Sequence, residues 1–152
     1  MVAVRSILCP VDFSETSRRA LDYALLLART CAAELTVLHV VEDVPLLTAY
    51  AGLPEGSLVE KVEESARMEL AELVAAIPAQ GFPIRSDLIH GTTWKAILQY
   101  AAQHGSELIV MGSHGRKGLE HAIFGSVTER VIRRAACPVL IVPPPGAAAA
   151  KG

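Results

Sequence analysis

Residues 107–134, ELIVMGSHGRKGLEHAIFGSVTERVIRR, decide how the rest of this chain is read. The stretch opens on Leu108-Ile109-Val110-Met111, an apolar run with the length of a strand buried on both faces. Glycines follow at Gly112 and Gly115. Nine residues separate Gly115 from Gly125 and Ser126, after which Val127, Val131 and Ile132 fall at helical spacing. A strand, a glycine-bearing loop and a helix N-terminus are the layout that holds a phosphate. The first turn of a helix carries N–H groups without intrahelical acceptors and the positive end of the helix dipole. Glycine lets the backbone approach a ligand closely and tolerates positive φ.

Outward from this stretch, strands and helices alternate. Residues 6–11, SILCPV, read as a first strand with Asp12 at its end. Ser14 is the expected N-cap of a helix whose apolar positions are Ala20, Leu21, Ala24, Leu27, Ala28 and Cys31. Residues 34–41, ELTVLHVV, form a second strand. Residues 42–56 are irregular and long for a connection, a candidate lid. Ser57, with Glu60 at the capping-box spacing, is expected to start a helix over about 58–77. Residues 84–90 form a third strand whose Arg85 and Asp87 place it near a sheet edge. A helix over about 94–104 ends at Gly105. After the opening stretch, Cys137-Pro138 breaks the pattern and residues 139–142 make a fifth strand. The expected fold is therefore α/β: a single open parallel five-stranded sheet with helices on both faces and right-handed crossovers. Residues 1–143 are read as one domain and 144–152, rich in Pro and Ala, as a disordered tail. In such sheets ligands bind beyond the carboxyl ends of the strands. Asp12, Val40 with Val41, His90 with Gly91, and Gly112 all fall there.

Composition removes several function classes. The 152 residues carry a net charge of −2, and aromatics make up 5%, so neither a basic face nor a stacking platform for nucleic acid is expected. No apolar run reaches the roughly 18 residues of a membrane span. The start, MVAVRSILCPVDFS, lacks the layout of a signal peptide. Three cysteines without CxxC spacing fit a reducing compartment, with structural thiols as the simpler reading. A soluble, cytoplasmic protein is expected.

The segments CPVDFSETSRRAL, LHVV and MGSHGRKGLEHAIFGSVTERVIRRAACPVLIV resemble the universal stress protein family over nearly the whole chain. The diagnostic spacing Gly-x2-Gly-x9-Gly-Ser is met by Gly112, Gly115, Gly125 and Ser126, as in the members that hold ATP. The resemblance implies a Rossmann-like sheet of order 3-2-1-4-5 and a homodimer formed through the last strand. It places Pro10, Val11 and Asp12 by the nucleoside and gives the backbone of Val40 to the adenine edge. Met111, Gly112, His114 and Gly115 would line ribose and phosphates. Gly125, Ser126, Val127 and Thr128 would bind phosphates through backbone N–H and hydroxyl groups.

Other readings stand beside this one. Glycines can serve turns only, leaving a dimeric interaction module without nucleotide. Asp12 can simply cap the following helix. Arg116 and Lys117 can screen phosphates or be merely solvated. His39, His90 and His114 lie at strand ends but lack metal-ligand spacing, while His104 and His121 read as surface residues and Trp94 as packing. Mg²⁺ would be held mainly by phosphate oxygens and water, with Asp12 the candidate protein ligand. The Walker lysine is absent, and no nucleophile–base pair is evident. A nucleotide-dependent switch or sensor in the stress response, with an unknown protein partner, is thus expected before an enzyme. A slow ATPase, or autophosphorylation on Ser126, Thr128 or His114, is the alternative.

Overall fold

In the computed structural model, residues 2–43, 56–115 and 124–146 are described. Five strands alternate with four helices: β1 (Ser6–Pro10), α1 (Glu15–Cys31), β2 (Glu34–Val41), α2 (Ser57–Ala75), β3 (Ile84–His90), α3 (Thr93–Gln103), β4 (Leu108–Gly112), α4 (Ser126–Arg134) and β5 (Val139–Val142). The strands form one parallel sheet of order β3-β2-β1-β4-β5. This is the arrangement expected from the sequence. Central strands are apolar on both faces because both are covered; Ile7, Leu8, Cys9, Ile109 and Val110 are fully buried.

Two cores lie on opposite faces of the sheet. Ala20, Leu21, Ala24 and Ala28 of α1 and Ala66 and Leu70 of α2 pack against Ile7, Cys9, Val37 and Val110. Ala96, Ile97, Tyr100 and Ala101 of α3 and Val131 of α4 pack against Leu8, Leu38, Ile109 and Met111. The alanines on the buried face of α1 let that helix lie close to the sheet. Where it crosses the end of β4, a Cβ on Gly112 would stand 2.7 Å from Thr16 Cγ2.

Local chemistry accounts for most element ends. The Ser14 side chain accepts from Ser17 N at 3.2 Å and caps α1. The helix stops at Ala32, which takes a left-handed conformation with φ 54. Gly105, with φ 63, follows α3. The capping box at Ser57 is corrected. Gly56 is the N-cap of α2, with φ 103 and no side-chain cap, and Ser57 is the first helical residue. Glu60 therefore stands one position too late to reach back to the cap; its own N–H bonds Gly56 O at 2.9 Å. The start of β3 at an edge agrees with its exposed Arg85 and Asp87, and Arg85 pairs with Glu34 at 2.9 Å.

The cysteines divide. Cys9 is fully buried, and desolvation followed by the Asp22 charge pushes its thiol far above the usual range. Burial also raises the thiol of half-buried Cys137. Cys31, expected on the apolar face of α1, is exposed at the last turn instead. Among the described residues no helix is long and apolar enough to cross a membrane. Most of the irregular stretch 42–56, Arg116, Lys117, His121 and residues 147–152 of the tail lie outside the described residues.

The packing of α1 on β4 yields a first prediction. Gly112→Ala should cost about 1–3 kcal/mol through overpacking, read as a lower midpoint in denaturant unfolding. The loss should be partly recovered by adding Thr16→Ser, which removes the Cγ2 methyl. An unchanged midpoint for Gly112→Ala would show that the contact is not tight.

Candidate functional site

From β1 the chain moves outward to β2 and β3, then returns to β4 on the other side of β1. The carboxyl ends of β1 and β4 are therefore the point where the winding reverses. A cavity of about 490 Å³ opens there, within the range of small-molecule sites. All of Pro10, Val11, Asp12, Val40, Met111, Gly112, His114, Gly115, Gly125, Ser126, Val127 and Thr128, the residues named from the sequence, line it. So do Ser17, His39, Glu42, Thr93 and Ile97. Of these, only His39 drew notice from the sequence, as a remote metal ligand. Ile97 is read from helical periodicity as core, and nothing in the local sequence around Glu42 and Thr93 marks them.

The loop between β1 and α1 is strained. Phe13 has φ 66, an uncommon conformation for a bulky residue that costs about 1–3 kcal/mol. Tertiary contacts hold it. The Phe13 ring stacks on His39 with centroids 4.4 Å apart. His39 Nδ1 lies 2.7 Å from Val11 O, and because a carbonyl only accepts, the ring proton sits on Nδ1. Val11 N in turn donates to Leu38 O at 2.8 Å. This brace presents Asp12 to the cavity. Asp12 Oδ1 accepts from Ser14 N at 3.0 Å and from the Ser14 hydroxyl. Capping and lining the cavity are thus both true of Asp12.

The three motif glycines do three different things, and none has positive φ. Gly112 makes room for α1. Gly115 makes room for Asp12, whose Oδ2 would stand 2.4 Å from an added Cβ. Gly125 has φ −68 and ψ 162, open to any residue, and an added Cβ would meet only His114 Cα and Ser113 O at 3.5 Å, ordinary contact. The protein itself therefore gives no reason for glycine at 125. The left-handed turns anticipated at these glycines are not there; close approach is what they supply.

Gly125 is the N-cap of α4 and provides no side-chain cap. The N–H groups of the following turn have no acceptor within the helix, and Ser126, Val127 and Thr128 line the cavity. Three bonds fix this helix end. Gly125 N donates to Ser113 O at 2.8 Å, Ser113 N to Val142 O at 2.9 Å, and the Thr128 hydroxyl to Gly112 O at 2.9 Å. Thr128 is buried. Its hydroxyl, expected at the phosphates, is committed to the end of β4, whereas Ser126 is exposed. Ser113 Oγ lies 3.0 Å from His114 Nδ1.

On the other side, β1 runs out opposite Leu38, its last partner on β2. Backbone groups of a strand alternate between neighbours. Leu38 O faces β1, and Val41 O faces β3, where it accepts from Gly91 N at 3.1 Å. The N–H and C=O of Val40 consequently face the space beyond β1. The histidines do not converge: His90 Nε2 lies 3.1 Å from Glu63 Oε2, and His104 stacks on Tyr100. Glu63 is held below the ordinary carboxylate range, first by its bond to Arg67. Among the described residues no group of three or more His, Cys, Asp and Glu could hold a metal. Trp94 packs against the second core with Arg134 4.8 Å from its ring centroid.

A family model described as universal stress protein family matches residues 3–143. Universal stress protein MJ0577 of Methanocaldococcus jannaschii is 32% identical over 155 residues, covering 93% of this chain and 96% of that protein. The solved structure of MJ0577 superposes with a TM-score of 0.82, covering 93% of this chain and 97% of that one. More distant structures include a universal stress protein in complex with cAMP (23% identical, TM-score 0.63) and one from Archaeoglobus fulgidus in complex with dAMP (20% identical, TM-score 0.62). At those identities the likeness shows the fold alone.

The pinning of α4 yields a second prediction. Thr128→Val keeps the shape but leaves the buried Gly112 carbonyl without its partner, costing about 1–3 kcal/mol. At about 2–4 °C per kcal/mol for a domain of this size, calorimetry should show a melting temperature lower by several degrees. An unaltered value would remove Thr128 from its structural role.

Proposed function

The chain belongs to the universal stress protein family, and from this we propose that it binds an adenine nucleotide, ATP with Mg²⁺, across the carboxyl ends of β2, β1 and β4. One observation carries the reading: the uncapped N-terminus of α4 opens onto the cavity at Gly125, a glycine that neither the backbone conformation nor the surrounding protein requires. The amides of the first turn would take the phosphates. The backbone of Val40 offers one donor and one acceptor to the base. Val40, Ile97 and Met111 supply apolar surface for the ring. Asp12, beside Gly115, fits a role next to Mg²⁺, with phosphate oxygens and water as the ion's other ligands.

The role is a nucleotide-dependent switch or sensor in the stress response. Nucleotide changes the affinity for a protein partner only by binding the two conformations unequally, and a ligand reaching from β2 to α4 ties together elements that otherwise meet only through the sheet. The commitment of the Thr128 hydroxyl to Gly112 O removes one of the candidate phosphoacceptors of the autophosphorylation reading. The outer edge of β5, where Leu140 is 37% exposed, is the surface we assign to pairing with a second copy, since an unprotected edge strand invites association.

Calorimetric titration of nucleotide-free protein with Mg-ATP should show stoichiometric binding. Gly125→Val should abolish it while the thermal unfolding transition stays cooperative and within a few degrees of wild type. No detectable heat at millimolar ATP would end the proposal, and full affinity in Gly125→Val would detach the phosphates from α4.

A further inference from the structure

We infer that Glu42 and Thr93 form a base-selecting pair at the far end of the cavity, with the Glu42 carboxylate accepting a hydrogen bond from the exocyclic amino group of adenine. This rests on the nucleotide reading above and adds to it which base is taken and by which side chains. The Thr93 hydroxyl donates to Glu42 Oε1 at 2.6 Å, and both residues line the cavity. The bond joins the end of β2 to the first residue of α3, which the chain separates by 51 positions. A short charge-assisted bond of this kind orients the carboxylate.

Position and charge together give the assignment. Glu42 follows Val40 by two residues and so continues the face of β2 that α3 covers. In strand order, β2 and β4 are separated by β1, so Glu42 and the N-terminus of α4 stand about two strand spacings apart, roughly 10 Å. One end of the cavity thus carries a carboxylate and the other the positive end of a helix. A polyanion is repelled from the first and attracted to the second, which sets the direction in which a nucleotide lies. The base then falls between Val40, Ile97 and Met111, its polar edge at Glu42. Adenine presents an amino donor at the ring position where guanine presents a carbonyl acceptor. A carboxylate only accepts. It rewards the first and opposes the second.

The test is calorimetry of the full chain with Mg-ATP, Mg-GTP and Mg-dATP, on wild type, Glu42→Gln and Thr93→Val. Wild type should favour ATP over GTP by at least about tenfold. Glu42→Gln, whose amide can donate to the guanine carbonyl, should narrow that ratio by about tenfold, the scale of one good base contact, and leave the ATP-to-dATP ratio alone. Thr93→Val should narrow it by a smaller factor, because the carboxylate loses its hold. An ATP-to-GTP ratio unchanged in both variants overturns the inference while leaving the site reading intact. A change confined to the ATP-to-dATP ratio also overturns it, by giving the pair to the ribose. Wild type that binds none of the three overturns the site reading itself and this inference with it.

Discussion

The end of α4 cannot satisfy its own first amides, and everything around it is arranged so that the protein does not satisfy them either. Gly125 brings no capping side chain. The helix is nonetheless held firmly, because Thr128 bonds the last residue of β4 and Gly125 N bonds Ser113 O. Rigidity and an uncapped terminus are rarely combined without a reason. A helix that needed only stability would place Ser, Thr, Asp or Asn at that cap, worth about 0.5–2 kcal/mol. Here the anchoring is moved to Thr128, one turn inside, and the terminus faces a cavity.

The strained β1–α1 loop is the counterpart on the neighbouring strand. Phe13 holds a left-handed conformation because His39 stacks on it and also bonds Val11 O. The strain aims Asp12 at the loop after β4, and Gly115 exists in the space that the Asp12 carboxylate occupies. The two loops therefore constrain each other. A Cβ at 115 and a displaced Asp12 are the same event seen from two sides, and a change in either reaches the cavity.

The fold was legible from the sequence because its signals are local and repeated. Short apolar runs at 108–111 and 139–142, β-branched residues through 34–41 and helical spacing in between specify alternation, and alternation specifies a parallel sheet. The strand order came through family resemblance, since no periodicity distinguishes 3-2-1-4-5 from another order. The candidate site was legible where one segment carries it, from Met111 to Thr128. It was not legible where it depends on contacts far apart in the chain. Glu42 and Thr93 meet only after β2 and α3 are in place. The separate tasks of Gly112, Gly115 and Gly125 follow from what stands opposite each, Thr16, Asp12 and open cavity, which spacing alone does not reveal. The cap of α2 was misplaced by one residue because Gly56 and Ser57 are both competent caps and the helix begins at the earlier one.

The central claim is that the first amides of α4 are the phosphate ligands. Backbone amide resonances followed during a Mg-ATP titration test it most directly. The shifts should be largest at Gly125, Ser126 and Val127, saturating together, with Gly115 and Val40 following the same curve. Saturable shifts elsewhere while residues 125–127 stay fixed would place the ligand at another site and contradict the claim.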